Sequence, residues 1–225
     1  MKGREVHMFR SLLVTVLLLG AVTLATAQVR LDPVPVPAGV NLSGTLNPQV
    51  APDYSNTTSG TGYYYPGGVG VIVADDVHRT TSLPIGQVAF GYYSPSVAPD
   101  VVMYIYANTG DYSLPATLLA SYNLGTLNQG AWAYTITLPT PLTAPADLWI
   151  GFSFSAADAG LLIYDPPTVG TSHDLFMQDN QNLYYFGGNP VANFYLETVP
   201  VPEPTSLLVL GSGVVGLFAL RRRRA

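Results

Sequence analysis

Apolar and polar side chains alternate with a period of two through most of the chain, from about Gly67 to Val199. Between Trp132 and Leu138, large apolar residues take every second position, and alanine or threonine takes the others. Such alternation is typical of a strand with one buried and one exposed face. About eight or nine such segments follow one another with no apolar stretch of helical period. The pattern therefore predicts an all-β protein, an antiparallel β-sandwich.

The predicted strands also have a recognisable order. An Asn108-Thr109-Gly110 turn follows one of them, and Leu148-Trp149-Ile150-Gly151-Phe152 forms another. This order resembles jelly-roll-like domains of surface-anchored bacterial proteins, and it favours a jelly roll over an immunoglobulin topology. The segments with period two lie at residues 69–74, 88–92, 101–107, 118–124, 131–138, 148–155, 161–164, 183–186 and 194–199.

The stretch before this domain, residues 28–66, contains recurrent prolines among small polar residues. No helical period survives that many prolines. We interpret residues 28–66 as a proline-rich lead-in, with room for one short strand at Val40 to Leu46, and assign the β-sandwich domain to residues 67–199.

The N-terminal residues form an apolar run that is not part of the sandwich. An uncharged segment from Ser11 to Leu24 follows a basic region and precedes Ala25-Thr26-Ala27, which has the A-x-A form of a cleavage site. The sequence therefore predicts a signal peptide over residues 1–27, cleaved after Ala27 and recognised by the Sec export machinery. The basic residues are Lys2, Arg4 and Arg10.

The C-terminal tail contains a second apolar run, from Thr205 to Leu220, which carries no charge. As a helix its sixteen residues would span about 24 Å, somewhat less than a bilayer core of about 30 Å. We predict a single transmembrane helix over residues 205–220. By the positive-inside rule, the arginines that follow it remain in the cytoplasm. They are Arg221, Arg222, Arg223 and Arg224, and the extended segment before the helix is Pro202, Glu203 and Pro204.

These three parts together, over residues 200–225, resemble a PEP-CTERM sorting signal. Proteins with this tail are exported by Gram-negative bacteria that produce exopolysaccharide. The resemblance implies that an exosortase, an integral-membrane protease-transpeptidase, recognises Pro202-Glu203-Pro204 and cuts near it. It also implies membrane anchoring before processing, followed by a location at the cell surface or in the extracellular matrix.

The charge of the body differs from that of the whole chain. Between Gln28 and Pro204 there are thirteen acidic residues and two basic ones, Arg30 and Arg79, so the formal charge is −11. Such a body cannot neutralise phosphates, which excludes nucleic acid as a partner. The chain has no cysteine, which excludes disulfides, thiol catalysis and thiolate metal sites.

Two segments place imidazoles near carboxylates, namely His173-Asp174 and Asp75-Asp76-Val77-His78. Neither belongs to a Gly-x-Ser-x-Gly or His-Glu-x-x-His motif, and adjacent residues on a strand point to opposite faces. We therefore expect no catalytic residues and no enzymatic activity. A carbohydrate-active enzyme on the same sandwich is the alternative.

We expect no cofactor; calcium is the one alternative, because the sequence contains clusters of oxygen ligands. Asp75 and Asp76 lie at a predicted strand end, and the other candidates share one long predicted loop, from Asp165 to Asn182. Turn formation by Asp and Asn is the favoured explanation of the same residues. The loop candidates are Asp165, Asp174, Asp179, Asn180 and Asn182.

Tyrosines occur in adjacent groups, and the pairs Tyr92-Tyr93 and Tyr184-Tyr185 are each expected to expose one ring. Exposed rings can stack on sugars, so these four residues are the candidate glycan contacts; strand propensity is the default explanation of the same rings. The sequence thus predicts a non-enzymatic, exported envelope or matrix protein associated with exopolysaccharide, and it leaves glycan binding open. A purely structural surface protein is a further alternative.

Overall fold

The computed structural model describes residues 30–35, 50–186 and 193–201, the first of these ranges by its backbone alone. Every regular element in these ranges is a strand, and the strands form two antiparallel sheets packed face to face. The predicted all-β sandwich is confirmed. No helix in the described ranges is long and apolar enough to cross a membrane. The predicted signal peptide and the transmembrane helix at 205–220 lie outside the described residues.

The described ranges contain fourteen strands. They are β1 Arg30–Pro35, β2 Tyr54–Asn56, β3 Gly60–Pro66, β4 Val73–His78, β5 Ile85–Ser94, β6 Asp100–Ala107, β7 Leu118–Thr126, β8 Gly130–Leu142, β9 Asp147–Phe154, β10 Gly160–Tyr164, β11 Leu175–Gln178, β12 Asn182–Tyr185, β13 Asn193–Phe194 and β14 Leu196–Pro200.

The strands from β3 to β10 have the connectivity of a jelly roll. The first sheet contains the order β3-β10-β5-β8, and the second contains β4-β9-β6-β7. The chain crosses between the sheets at almost every connection, as the sequence resemblance led us to expect. In the first sheet β1 pairs with β8, β13 with β10, and β14 with both β2 and β5. In the second sheet β11 pairs with β4, and β12 with β11.

The core lies between the two sheets and follows the predicted alternation. The rings of Phe90 on β5 and Phe152 on β9 stack across it, with centroids 4.1 Å apart. Burying a side chain of this kind stabilises the fold by about 1.5–3 kcal/mol. Other buried residues on the same faces include Val88, Tyr92, Ile136, Leu148, Ile150 and Phe154.

The sandwich begins earlier in the chain than the sequence predicted. Strands β1, β2 and β3 all lie within residues 28–66, which we had interpreted as a lead-in. Among described residues β1 pairs with β8 alone, so it is an edge strand, and edge strands tolerate proline because one side needs no ladder hydrogen bonds. The short strand considered at Val40 to Leu46 lies outside the described residues.

Two other boundaries differ from the prediction. The strand expected at 69–74 starts only at Val73, because Gly68 and Gly70 have φ angles of 100° and 70°, which a regular strand cannot accommodate. The expected loop from Asp165 to Asn182 contains strand β11, whose Leu175, Phe176 and Met177 are buried.

The position of Trp132 is also a correction. The alternation from Trp132 to Leu138 predicts this ring on the buried face of its strand, but it lies half-buried at the core margin, where its indole N–H donates to the Gln129 carbonyl over 2.8 Å. Trp149 is the fully buried tryptophan, and it lies on the outer face of the second sheet.

The loop between β6 and β7 covers this outer face. Its residues Tyr112, Leu114 and Ala116 pack against the cluster that contains Trp149. The Asn180 side chain fastens the loop, since its Oδ1 accepts the Ala116 N–H over 2.7 Å and its Nδ2 donates to the Ala116 carbonyl over 2.9 Å. Because the loop folds back over the sheet, the Tyr112 hydroxyl lies next to the end of β4.

Candidate functional site

Strand β4 carries two neighbouring aspartates with opposite environments. Asp75 lies in the interior, where its Oδ2 accepts the Phe194 N–H over 2.9 Å and burial raises its pKa well above the ordinary range. Asp76 faces the outer side of the second sheet, where its carboxylate contacts Tyr112 and His173. The two carboxylates therefore point to opposite faces of the sheet.

The Asp76 carboxylate is fully buried and gathers groups from three segments. Its Oδ1 accepts hydrogen bonds from the Ser172 hydroxyl (2.9 Å) and the His173 N–H (3.1 Å). Its Oδ2 lies 2.9 Å from His173 Nδ1, 3.3 Å from His78 Nε2 and 3.4 Å from the Tyr112 hydroxyl. We call these four residues, Asp76, His78, Tyr112 and His173, the Asp76 cluster.

The backbone brings His78 and His173 together although they are 95 residues apart in the chain. The His78 N–H donates to the Thr171 carbonyl over 2.9 Å, and the Thr171 N–H donates to the His78 carbonyl over 3.0 Å. This bridge holds the segment before β11 against the end of β4. His78 Nε2 consequently lies 3.2 Å from His173 Nδ1.

His78 lies between two carboxylates. Its Nε2 faces Asp76, and its Nδ1 contacts Oδ1 of Asp147, the β9 residue opposite it in the register. The hydrogen bond with Asp76, supported by Asp147, raises the pKa of His78 to about 9 although burial opposes that shift. The contact with Asp147 also fixes the orientation of the ring.

Tyr112 closes the cluster from the β6–β7 loop, where its backbone has a φ of 55°. Its hydroxyl contacts His173 Nδ1 and lies 3.2 Å from His78 Nε2. Burial, with the nearby Asp76 charge, raises the pKa of this phenol. The cluster opens to solvent through His173, whose side chain is 56 % exposed, while Asp76 is inaccessible.

The other calcium candidates are spread over separate places. Asp165 accepts a hydrogen bond from the Ser59 hydroxyl over 2.5 Å, whereas Asp179 accepts the Ile72 N–H over 2.9 Å. Within the described part of the chain, the acidic and histidine side chains close enough to share a metal ion are Asp76, His78 and His173. The sequence contained one signal for this group: these two histidines are the only ones in the body of the chain.

The candidate glycan contacts are not all at the surface. Tyr92 is fully buried and its hydroxyl donates to the Asn128 carbonyl, so it is removed from the candidate set. Tyr93 is half-buried, with its ring 5.0 Å from that of Tyr64. Tyr184 and Tyr185 are both exposed, by 42 % and 73 %, so the expectation of one exposed ring in this pair is wrong. Among the described strands, β12 lies at the edge of its sheet.

Tyrosines of β3 and β12 meet at one lateral edge of the sandwich. The rings of Tyr65 and Tyr184 both pack on Phe176, at centroid distances of 4.7 and 5.5 Å. Tyr63 lies two positions from Tyr65 on the same strand and is 72 % exposed. We call the tyrosines of these two strands, Tyr63, Tyr65, Tyr184 and Tyr185, the tyrosine edge; Tyr185 points to the opposite face of β12 from Tyr184. Its first two members come from the cluster Tyr63-Tyr64-Tyr65, which was not among the predicted contacts.

The close approach of β3 to its partner strand depends on Gly160. A Cβ at this position would lie 1.9 Å from the Tyr65 carbonyl oxygen, a distance that no side chain could accept. The glycine therefore allows β3 to pair with β10 and holds Tyr65 at the edge.

Comparison with known families identifies the tail. The PEP-CTERM protein-sorting motif matches residues 200–224, which include Pro202, Glu203, Pro204 and the four arginines. The chain therefore carries a PEP-CTERM sorting motif, as the sequence resemblance indicated. It is therefore an exported protein that is anchored in the membrane until an exosortase processes it. No curated protein matches the chain at a significant level.

Proposed function

We propose that the protein is a non-enzymatic β-sandwich presented at the cell surface or in the extracellular matrix, where it binds neutral parts of the exopolysaccharide through the tyrosine edge. The observation that carries this proposal is the exposure of Tyr63 on β3 and of Tyr185 on β12, at 72 % and 73 %. Large rings this open contribute little to the core. They offer flat apolar faces and hydroxyls, which suit sugar rings.

The charge of the body supports a neutral ligand. With a formal charge of −11 between Gln28 and Pro204, the body repels an anionic polymer at close range. At physiological salt this repulsion acts within about 8 Å. It therefore weakens close binding of the polymer more than it hinders the first encounter. Neutral glycans meet no such repulsion. An acidic polysaccharide would need calcium to bridge the two negative surfaces.

The experiment measures binding of the full chain, purified in detergent, to dextran and galactomannan by calorimetry. We expect weak binding, and we expect Tyr63→Ala and Tyr185→Ala each to lower the affinity by about two- to tenfold, the value of one aromatic contact. Val97→Ala is the control, because Val97 is also exposed, by 50 %, but is not part of the tyrosine edge. Tyr185→Phe separates the ring from its hydroxyl.

The same samples test the alternatives. Alginate, an acidic polymer, should bind only when calcium is present, and a chelator should release it. Strong binding of alginate without calcium would contradict the charge argument. Shorter saccharides in the reaction mixture would indicate a carbohydrate-active enzyme. Absence of binding to every polymer would favour a purely structural surface protein.

A further inference from the structure

Three ligand-type atoms of the Asp76 cluster form a compact triangle. Asp76 Oδ2 lies 3.3 Å from His78 Nε2 and 2.9 Å from His173 Nδ1, and the two nitrogens are 3.2 Å apart. Ligands of a tetrahedral zinc ion lie about 2.0–2.1 Å from the metal, which places them roughly 3.3–3.4 Å from one another. The triangle thus already has nearly the size of one face of such a coordination shell.

The Tyr112 hydroxyl supplies a fourth corner. It lies 3.2 Å from His78 Nε2 and 3.4 Å from Asp76 Oδ2, and it also contacts His173 Nδ1. The contact between the Tyr112 hydroxyl and His173 Nδ1 is shorter than the spacing of two zinc ligands, so the hydroxyl must move outward to complete a tetrahedral shell. We propose that Asp76, His78 and His173 bind one divalent transition-metal ion of the zinc class, with the Tyr112 hydroxyl at the fourth position.

Outer partners orient two of the three ligands. Asp147 contacts His78 Nδ1, which directs Nε2 toward the centre of the cluster. The Ser172 hydroxyl donates to Asp76 Oδ1 over 2.9 Å, which turns Oδ2 toward the two rings. Carboxylates and hydroxyls in these positions characterise protein metal sites, where they fix the ring orientation and raise the basicity of the ligands.

The chemistry of the donors selects the kind of metal. Two imidazole nitrogens with one carboxylate suit zinc and its neighbours in the first transition row, whereas calcium and magnesium prefer sites made of oxygen atoms. The only imidazole nitrogens of the body lie at this site, since His78 and His173 are its only histidines. The inference is independent of glycan binding, because it uses none of the residues of the tyrosine edge.

The site is accessible to an ion from solvent. The His173 side chain is 56 % exposed and His78 is 20 % exposed, so one ligand can swing aside while Asp76 stays fixed inside. A bound ion would join β4 to the β6–β7 loop and to the segment before β11. Because such an ion binds the folded chain preferentially, it should raise the melting temperature as its concentration increases.

The test uses the full chain in detergent without a histidine tag, since a tag would bind the same metals. After removal of metals with a chelator and dialysis, Zn²⁺ is titrated by calorimetry, and bound metal is counted by elemental analysis. We expect one zinc per chain, a rise in melting temperature with zinc, and no displacement by a large excess of Ca²⁺. Displacement by calcium, or absence of zinc binding, would overturn the proposal.

Variants locate the bound ion. His173→Ala should weaken zinc binding by more than about 100-fold, and Asp147→Asn, an outer change, by about 10–100-fold. Asp158→Asn is the matched control, because it alters a carboxylate beyond the opposite end of β9. His173 is more than half exposed, so His173→Ala should leave the circular dichroism spectrum unchanged. Undiminished affinity in a folded His173→Ala chain would refute the site.

Discussion

Arg79 and Asp53 form a buried ion pair that joins the end of β4 to the start of β2. Arg79 Nε donates to Asp53 Oδ2 over 2.9 Å, and the two residues are 5 % and 2 % exposed. The hydroxyls of Thr81 and Thr198 also donate to the Asp53 carboxylate, over 2.9 and 2.6 Å. One of only two basic residues in the body is thus used inside the fold, and its charge is balanced there.

Replacement of Asp53 by alanine should lower the free energy of unfolding by about 3–5 kcal/mol, because the Arg79 charge then stays buried without a partner. Urea denaturation of the full chain, followed by circular dichroism, measures the change. The double variant Asp53→Ala, Arg79→Met should be more stable than Asp53→Ala alone. A loss below about 1 kcal/mol, the value of a surface pair, would show that solvent reaches the arginine.

The sandwich core gives a second prediction, on two aromatic side chains of different burial. Phe152→Ala should cost about 3–5 kcal/mol, since the ring is fully buried and stacked on Phe90. Trp132→Ala should cost less than Phe152→Ala, because this larger ring is only half-buried at the core margin. Denaturation curves of both variants show which substitution lowers the free energy of unfolding more. An equal or larger loss for Trp132→Ala would place its ring inside the core.

The core could be predicted because its signal is local. A period of two in side-chain polarity directly indicates which face of a strand is buried, and the alternation through Leu148, Ile150 and Phe152 is reproduced in the structure. The early strands β1 and β3 were missed for a physical reason. Edge strands need only one ladder of hydrogen bonds, so their sequences can contain proline or glycine and show no clear period.

The Asp76 cluster could not be predicted from local pattern. Asp76 and His173 are 97 residues apart, and their contact depends on the pairing of β4 with β9 and β11 and on the bridge between His78 and Thr171. Strand register between distant segments is not encoded in any short window. The rule that adjacent strand residues point to opposite faces holds for Asp75 and Asp76, but it does not indicate which of the two meets the histidines.

Glu197 on β14 gives a prediction on pH. Burial raises the pKa of this carboxyl above its ordinary 4.5, although a hydrogen bond from the Ser55 hydroxyl (2.6 Å) partly opposes the shift. Between pH 4.5 and the raised pKa the folded chain holds more protons than the unfolded chain, so this group lowers stability as pH increases. Glu197→Gln cannot ionise. The fall in unfolding free energy from pH 4 to pH 7 should therefore be smaller in Glu197→Gln than in the parent chain.

The control for this measurement is Asp100→Asn, which removes an exposed carboxylate from the start of β6. Denaturation at several pH values is compared for the parent and both variants. If Glu197→Gln shows the same pH dependence as the parent chain, then Glu197 ionises in the fold as readily as in the unfolded state.

The sorting motif gives the last prediction. Glu203 is the only charged residue between Thr198 and Leu220, and the prolines on either side of it favour an extended backbone that a protease can reach. Glu203→Ala should therefore leave export intact but impair removal of the tail by the exosortase. Mass spectrometry of the surface and membrane fractions compares the C-termini, with Ser206→Ala as the control outside the motif. If Glu203→Ala yields the same mature C-terminus as the parent chain, the glutamate is not part of the recognised signal.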